Sequence, residues 1–331
     1  MHNAGKWVFH LFFHFCIILW KIGGYNVYRN IPMFIEIFMN VIIPVFFIIA
    51  VGYIMEKKFK LNMRTLSDLN FYVFVPALIF VKMLDSDLQP SKTIGILLFY
   101  LIHFAILFAI SFILFSPKVV RQKRTTLTLC TVFHNAGNYG IPLMLLAYGT
   151  EGVSVIAIIM IALNLLCFTM GIFMMESEHK DMSKTMVNLL KIPVIYAIFI
   201  GFALRFFHLN PPHQIMIPIG HLADGLIAVA LLTLGAQLAL SKPGKDLKFV
   251  SLGVFMRLVI APIIAVLLVP FFKFTGNIGP IMILSSGLPV AVNAYLLAAE
   301  YDNEAELASQ LVFWSTVLSA FSIPVILYFL R

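Results

Sequence analysis

The sequence predicts an all-α polytopic membrane protein with ten transmembrane helices, arranged as two inverted five-helix repeats. Three observations carry this prediction. Of the 331 residues, 61% are hydrophobic and only 11% are charged, which is far from the composition of an ordinary soluble domain. Apolar runs of roughly 18 to 25 residues recur almost end to end, and each can cross a hydrocarbon core of about 30 Å. The two halves of the chain also match each other at several proline, glycine and aspartate positions.

The apolar runs define ten predicted spans that are separated by short connections. Their approximate bounds are 33–55, 66–84, 93–115, 125–148, 153–175, 189–207, 217–240, 249–272, 277–299 and 307–330. A linker at 176–188 separates a first repeat at 33–175 from a second repeat at 189–331. The extension at 1–32 contains an apolar run too short for a comfortable span. We interpret it as a signal-like segment, an interfacial helix or the result of a start site placed too far upstream.

Basic residues in the connections indicate the orientation of the spans. Most lysines and arginines lie in connections on one side, at 56–65, 116–124, 176–191 and 241–248. The other side carries only Lys92, Arg205 and Lys273. Because positive residues near span ends resist translocation, the linker is predicted to be cytoplasmic in a multi-pass protein of the cell membrane.

Three sets of matched positions support the inverted repeat. "IIPVFFIIAVGY" opens the first half and "KIPVIYAIFIGF" opens the second, with proline and glycine at the same spacing. Asp68 aligns with Asp224, and the Gly-Ile-Pro of the fourth span aligns with the Gly-Leu-Pro of the ninth. Since five spans is an odd number, the second half enters the membrane from the opposite side. This weak symmetry is typical of inverted-repeat transporters.

The fourth and ninth spans are predicted to be broken and to cross each other. The fourth contains "HNAGNYGIPL" and the ninth "SSGLPVAVN". Pro142 removes a backbone donor, while Gly137 and Gly140 permit angles that helices do not use. A broken helix in lipid is tolerated only where it is buried in protein or lines a cavity. We therefore expect the freed backbone groups to be available to a ligand near the middle of the membrane.

The half-helices that follow these breaks have N-termini that favour an anion. The candidate substrate-binding residues are Asn135, Asn138, Gly140, Pro142, Ser285, Gly287, Pro289 and Asn293. The alternative is a proline kink whose asparagines bond neighbouring helices. Asn164 of the fifth span is either a further substrate contact or such an interhelical bond.

Charged residues within the spans are few. Arg257 lies near the predicted bilayer centre, where a buried arginine is costly and is a candidate functional residue. It either attracts an anionic substrate or pairs with a carboxylate and holds two helices together. Asp68 and Asp224 are interpreted as helix-start residues, and no acidic residue is expected near either break.

Several classes of protein are disfavoured. The sequence lacks the GxxxxGK[ST] loop of an ATP-driven pump. It also lacks a nucleophile paired with a base and a cluster of metal ligands, so no enzyme, metal site or cofactor is expected. Cys16, Cys130 and Cys167 are isolated within apolar runs. The net charge of +8 resides in short connections rather than on one face, so no nucleic-acid partner is expected.

The segments "HNAGNYGIPL", "GLPVAVNAYLLAAEY" and "TLGAQLAL" resemble the auxin efflux carrier family, which includes plant PIN carriers and bacterial permeases. The resemblance covers about 33–331. It implies a scaffold and a transport portion whose crossed helices meet at their prolines, with Asn138, Gly140 and Pro142 facing Gly287 and Pro289. The long cytoplasmic loop of some plant members is absent, which favours a compact bacterial type.

The sequence therefore predicts a permease, a secondary transporter for a small organic anion such as a carboxylic acid, that alternates access to a mid-membrane site. A sodium-coupled symporter of the bile-acid type is the alternative, and a channel is a further one. The expected partners are the organic anion and the lipid bilayer, with a homodimer as one assembly.

Overall fold

A computed structural model of the chain describes residues 34–85, 90–117, 123–175, 193–241 and 247–330, and these residues are almost entirely helical. The helices are α1 (Phe34–Phe59), α2 (Met63–Leu84), α3 (Pro90–Leu114), α4 (Arg124–Val132), α5 (Ala136–Met175), α6 (Pro193–Phe206), α7 (His213–Leu240), α8 (Leu247–Phe272), α9 (Ile278–Ser286), α10 (Val292–Glu300) and α11 (Ala305–Leu330). The extension at 1–32 and the linker at 176–188 lie outside the described residues.

Seven helices in the described ranges are long and apolar enough to cross a membrane, namely α1, α2, α3, α5, α7, α8 and α11. α6 is apolar but shorter. The prediction of a polytopic helical membrane protein is confirmed. The count of ten spans and the inverted repeat stay predictions.

The long helix α5 is divided by a reversal of the chain. Its 40 residues would extend about 60 Å if straight, roughly twice the hydrocarbon thickness. Gly149 interrupts it with φ 59° and ψ −140°, a conformation that is essentially restricted to glycine. The segments before and after Gly149 correspond to parts of the predicted fourth and fifth spans.

The start of α2 differs from the sequence interpretation. Asn62 is its N-cap, since the side-chain oxygen of Asn62 accepts from the backbone N–H of Thr65 at 3.0 Å. Asp68 lies more than a turn further along, and Asp224 lies well inside α7. The interpretation of both aspartates as helix-start residues is therefore wrong, because an amide cap and a proline turn begin these helices instead.

The helices pack as two groups. One contains α1, α2, α6 and α7, and the other contains α3, α4, α5 and α8 to α11. Within the first group, α1 and α7 touch through their backbones: a Cβ on Gly52 would overlap the carbonyl of Leu232, and a Cβ on Gly235 would overlap that of Ile49. Small residues that allow such close approach are typical of packed membrane helices. The groups meet where α2 and α7 contact α5.

Candidate functional site

The first break lies between α4 and α5, at 133–135. α4 ends at Val132, and Phe133 is extended with φ −90° and ψ 119°. The break therefore precedes Gly137, Gly140 and Pro142, which all lie inside the first turns of α5. Pro142 lies just after the π-helical turn Ala136–Gly140 and is the second residue of the α-helical part of α5, so the N–H that proline lacks falls at the junction between the two hydrogen-bonding patterns.

Gly140 has a packing role rather than an unusual backbone conformation. Its φ of −66° and ψ of −48° are helical, so Gly140 does not use the wider range of backbone angles that glycine permits. A Cβ at this position would lie 2.9 Å from Cδ1 of Leu288 and 3.1 Å from the carbonyl oxygen of Asn135. The small size of glycine thus lets the second broken segment, through Leu288, pack closely against the start of α5.

The second break lies between α9 and α10, at 287–291, and it pairs with the first. The Asn135 N–H donates to the Pro289 carbonyl at 2.8 Å, and the Ala291 N–H donates to the Phe133 carbonyl at 2.9 Å. His134 and Val290 thereby form an antiparallel bridge. The Val290 N–H donates to Oγ of Ser315 on α11 at 3.0 Å. These backbone groups were expected to be free for a ligand, but they satisfy one another instead, as burial away from water requires.

Arg257 of α8 joins the ends of the two half-helices that precede the breaks. It is 0% exposed. Nη1 donates to the Thr131 carbonyl at 2.7 Å and more weakly to that of Val132 at 3.4 Å, and Nη2 donates to the Ser286 carbonyl. The last carbonyls of a helix lack intrahelical donors and carry partial negative charge. One guanidinium therefore caps both α4 and α9, and these contacts favour the helix-joining interpretation, with carbonyls in place of a carboxylate.

The far ends of α4 and α10 are also linked. Nζ of Lys123, which precedes α4, lies 2.7 Å from Oε2 of Glu304. Oγ1 of Thr126 donates to the carbonyl of Asn303 at 2.8 Å. The broken helices are thus joined at the crossing and again at the ends that lie away from it.

A cavity of about 240 Å³ adjoins the crossing. It lies between the two helix groups, with α2 and α7 on one side and α5 and α10 on the other. Its lining consists of Ser67, Asp68, Asn70, Phe71, Tyr72, Val75, His134, Asn135, Ala136, Gly137, Asn138, Met160, Leu163, Asn164, Gln237, Ala291, Val292, Asn293 and Leu296. The first residues of both α5 and α10 are included, so two helix N-termini with their partial positive charge border the cavity.

The candidate residues from the sequence fall into two sets. Four of them line the cavity: Asn135, Asn138, Asn164 and Asn293. The others lie at or near the crossing but outside the lining: Gly140, Pro142, Ser285, Gly287, Pro289 and Arg257. The Ser285 hydroxyl donates to the Met282 carbonyl of its own helix at 2.8 Å.

Sequence reasoning did not include six polar residues of the lining among the site candidates: Ser67, Asp68, Asn70, Tyr72, His134 and Gln237. The expectation that no acidic residue lies near the breaks is wrong, since Asp68 lines the same cavity. Asp68, Asn70 and Gln237 belong to unbroken helices without local signals. His134 directly precedes Asn135, and that adjacency was the one available signal.

Discontinuous helices that cross beside a cavity, within a bundle of apolar helices, define a class of protein, the membrane transporters. The chain belongs to the auxin efflux carrier family: the family described as membrane transport protein matches residues 37–327. The resemblance noted in the sequence is confirmed.

Curated relatives cover most of the chain. A protein of Methanothermobacter thermautotrophicus, described as an uncharacterized transporter, is 26% identical over 289 residues, which is 86% of this chain and 95% of the relative. A protein of Rhizobium meliloti, described as a candidate malonate transporter, is 26% identical over 310 residues, with coverage of 88% and 95%. A third, an uncharacterized transporter of Methanocaldococcus jannaschii, is 23% identical over 313 residues, with coverage of 85% and 95%.

Proposed function

We propose that the protein is a secondary transporter that carries a small organic anion through the cavity at the crossing. The observation that carries this proposal is the position of the N-termini of α5 and α10 at the cavity. Half-helix N-termini aimed at a mid-membrane site recognise anionic substrate groups in several transporter folds. No lysine or arginine is found among the described residues of the lining, so the helix ends supply the positive potential.

The side chain of Asn138 is the leading substrate contact in this proposal. It lies in the first turn of α5 and lines the cavity. An asparagine offers both an amide donor and a carbonyl acceptor. Beside a helix N-terminus, its donor can bind a carboxylate oxygen together with the backbone N–H groups.

The arrangement of the two helix groups supports alternating access. The cavity lies at their boundary, and the crossing with its links at Arg257 and Lys123 belongs to one group. Movement of that group against α1, α2, α6 and α7 would carry the cavity between the two membrane faces. The predicted orientation places the start of α2 on the cytoplasmic side. Asp68 lies about 7.5 Å from that start along the helix and is exposed, which supports access to the cavity from the cytoplasmic side in this conformation.

The substrate class is a small carboxylate. The relative from Rhizobium meliloti is described as a candidate malonate transporter, and a cavity of about 240 Å³ suits a compact acid. The site is made from helix ends and amide side chains, which bind a carboxylate without a formal positive charge.

Purified protein is tested by thermal unfolding with malonate, malate, indole-3-acetate and a bile acid, each with and without sodium. A ligand at about 100 times its Kd stabilises the folded state by about 2.7 kcal/mol. Stabilisation by a small carboxylate, followed by saturable exchange of that acid in proteoliposomes, supports the proposal. A requirement for sodium selects the symporter alternative, and flux without saturation or exchange selects a channel. If none of the acids stabilises the protein, the proposal is contradicted.

A further inference from the structure

The two sides of the cavity differ in the buried polar atoms that lack a partner among the described residues. These atoms are Nδ2 of Asn135 and Nε2 of His134 on the side of the broken helices, and Oδ1 of Asn70 and Oε1 of Gln237 on the side of α2 and α7. The side formed by the broken helices presents donors. These are the N-terminal N–H groups of α5 and α10 and Nδ2 of Asn135, a residue that is 6% exposed and whose Nδ2 has no partner among the described residues. The side formed by α2 and α7 presents acceptors, from Asp68, Asn70 and Gln237. We call these the donor side and the acceptor side.

The orientation of the Asn70 amide follows from its neighbour. Asn70 is 2% exposed, and its side chain contacts Oγ1 of Thr233 at 3.1 Å. Because that hydroxyl donates its single hydrogen to the carbonyl of Val229 at 2.7 Å, it can only accept from Asn70. The Asn70 group that faces Thr233 is therefore the NH₂ group. Oδ1 is left buried, and it has no partner in the described part of the chain.

Gln237 provides a second acceptor, one helical turn from Thr233 on α7. Its Nε2 lies 3.5 Å from Oγ of Ser67. Its Oε1 is buried and likewise unpartnered by the residues that the structure describes. A buried acceptor without a donor is unfavourable, so a ligand that brings a donor to this side is favoured over one that does not.

The charges around the cavity favour a ligand with a single negative charge. Each helix N-terminus is equivalent to roughly half a positive charge, so the donor side balances about one negative charge. The acceptor side adds the carboxylate of Asp68, which repels a second negative charge on a ligand.

We propose that the cavity takes a monoanion that carries one carboxylate and, at its other end, a hydrogen-bond donor. The carboxylate binds at the N-termini of α5 and α10, and the donor binds Oδ1 of Asn70 and Oε1 of Gln237. Half-amides, hydroxy acids and singly protonated dicarboxylic acids belong to this class. The inference rests on the proposed function, since it specifies the ligand of the same cavity.

Three probes of similar size separate these requirements: malonamate, monomethyl malonate and malonate. Malonamate has one negative charge and an amide donor, monomethyl malonate has one negative charge without a donor, and malonate at neutral pH is mainly a dianion. Their Kd values for the purified full-length protein are measured by titration calorimetry, in sodium and in choline buffer. Malonamate is expected to bind at least about tenfold more tightly than either of the other probes.

Two substitutions test the acceptor side and one serves as a control. Asn70→Leu and Gln237→Met each remove one acceptor and are expected to lower malonamate affinity about tenfold while leaving monomethyl malonate unchanged. Asn70→Leu also removes the bond to Thr233. If the Asn70→Leu variant does not fold, the result for Gln237→Met is the deciding test. Gln310→Met is the matched control, because Gln310 of α11 is also buried with an unpartnered Oε1 among the described residues but does not line the cavity.

The preference for malonamate, lost in Gln237→Met and kept in Gln310→Met, supports the inference. Equal affinities of malonamate and its half-ester, or tighter binding of malonate, overturn it and leave the transporter proposal intact. If monomethyl malonate matches malonamate only in sodium, the acceptor side binds a cation and the inference is again overturned. If none of these acids or those of the wider panel binds, the transporter proposal itself fails.

Discussion

The backbone N–H of Asn135 lies 2.8 Å from the carbonyl oxygen of Pro289 and donates to it, although the two residues belong to opposite halves of the chain. With the reciprocal bond from Ala291 to Phe133, this contact makes the two breaks a single structural unit. Each break leaves backbone groups without their helical hydrogen-bond partners, and the other break supplies partners for some of them. These paired backbone groups are not available to a ligand, whose contacts fall to the side chains around the crossing and to the N-terminal N–H groups of α5 and α10.

Asn138→Ala is expected to abolish substrate binding without loss of folded protein. Asn138 lines the cavity at the start of α5, and no side-chain hydrogen bond joins it to another described residue. The stabilisation by the active acid, about 2.7 kcal/mol at about 100 times Kd, should vanish in thermal unfolding. Asn210→Ala, at an exposed position between α6 and α7, is the control. Wild-type stabilisation of the Asn138 variant would contradict the binding role of the crossing.

Arg257→Gln is expected to destabilise the protein by about 3 kcal/mol, because it removes charged hydrogen bonds to buried carbonyls at the ends of α4 and α9. Thermal unfolding without ligand measures this loss, and Arg64→Gln at an exposed position of α2 should have little effect. Any residual binding should weaken equally for anionic and neutral analogues. A selective loss of anion binding in a stable variant would instead show that Arg257 contacts the substrate.

Gly235→Ala is expected to destabilise the protein by about 1–3 kcal/mol, since the new methyl group would overlap the Ile49 carbonyl and force α1 and α7 apart. Gly220→Ala is the matched control on the same helix, because nothing lies within 4 Å of a Cβ at that position. Unfolding temperatures of the two variants should differ clearly. Equal stability would mean that the close approach of α1 and α7 is not required.

A cysteine in place of Leu296 should react with a membrane-impermeant thiol reagent from the cytoplasmic side, and the transported acid should slow this reaction. Leu296 is exposed and lines the cavity. Cys130 and Cys167 are buried, and Cys16 is replaced by serine to remove background. A cysteine at Asn210 is the control and should react only from outside. Reaction of the Leu296 variant from outside alone would reverse the proposed orientation.

The sequence identified the broken spans but not where they break. Glycine, proline and asparagine in the fourth span indicated an interruption. The break lies instead at 133–135, because residues 133–135 pair with the second broken segment. Such pairing depends on a contact between distant parts of the chain. Asp68, Asn70 and Gln237 were missed for a related reason, since no break marks their helices and only packing brings them to the cavity. The partners of Arg257 are backbone carbonyls, which every residue possesses and no pattern distinguishes.

The reciprocal bonds between the two breaks have a consequence for biosynthesis. When the ribosome has produced only the first half of the chain, the Phe133 carbonyl and the Asn135 amide lack their partners Ala291 and Pro289, from the break between α9 and α10, and they face a medium that offers no hydrogen bonds. The fourth span therefore cannot complete its folding in the bilayer until the ninth has been inserted. A nascent chain that stops before α9 therefore retains unpaired backbone groups within the membrane.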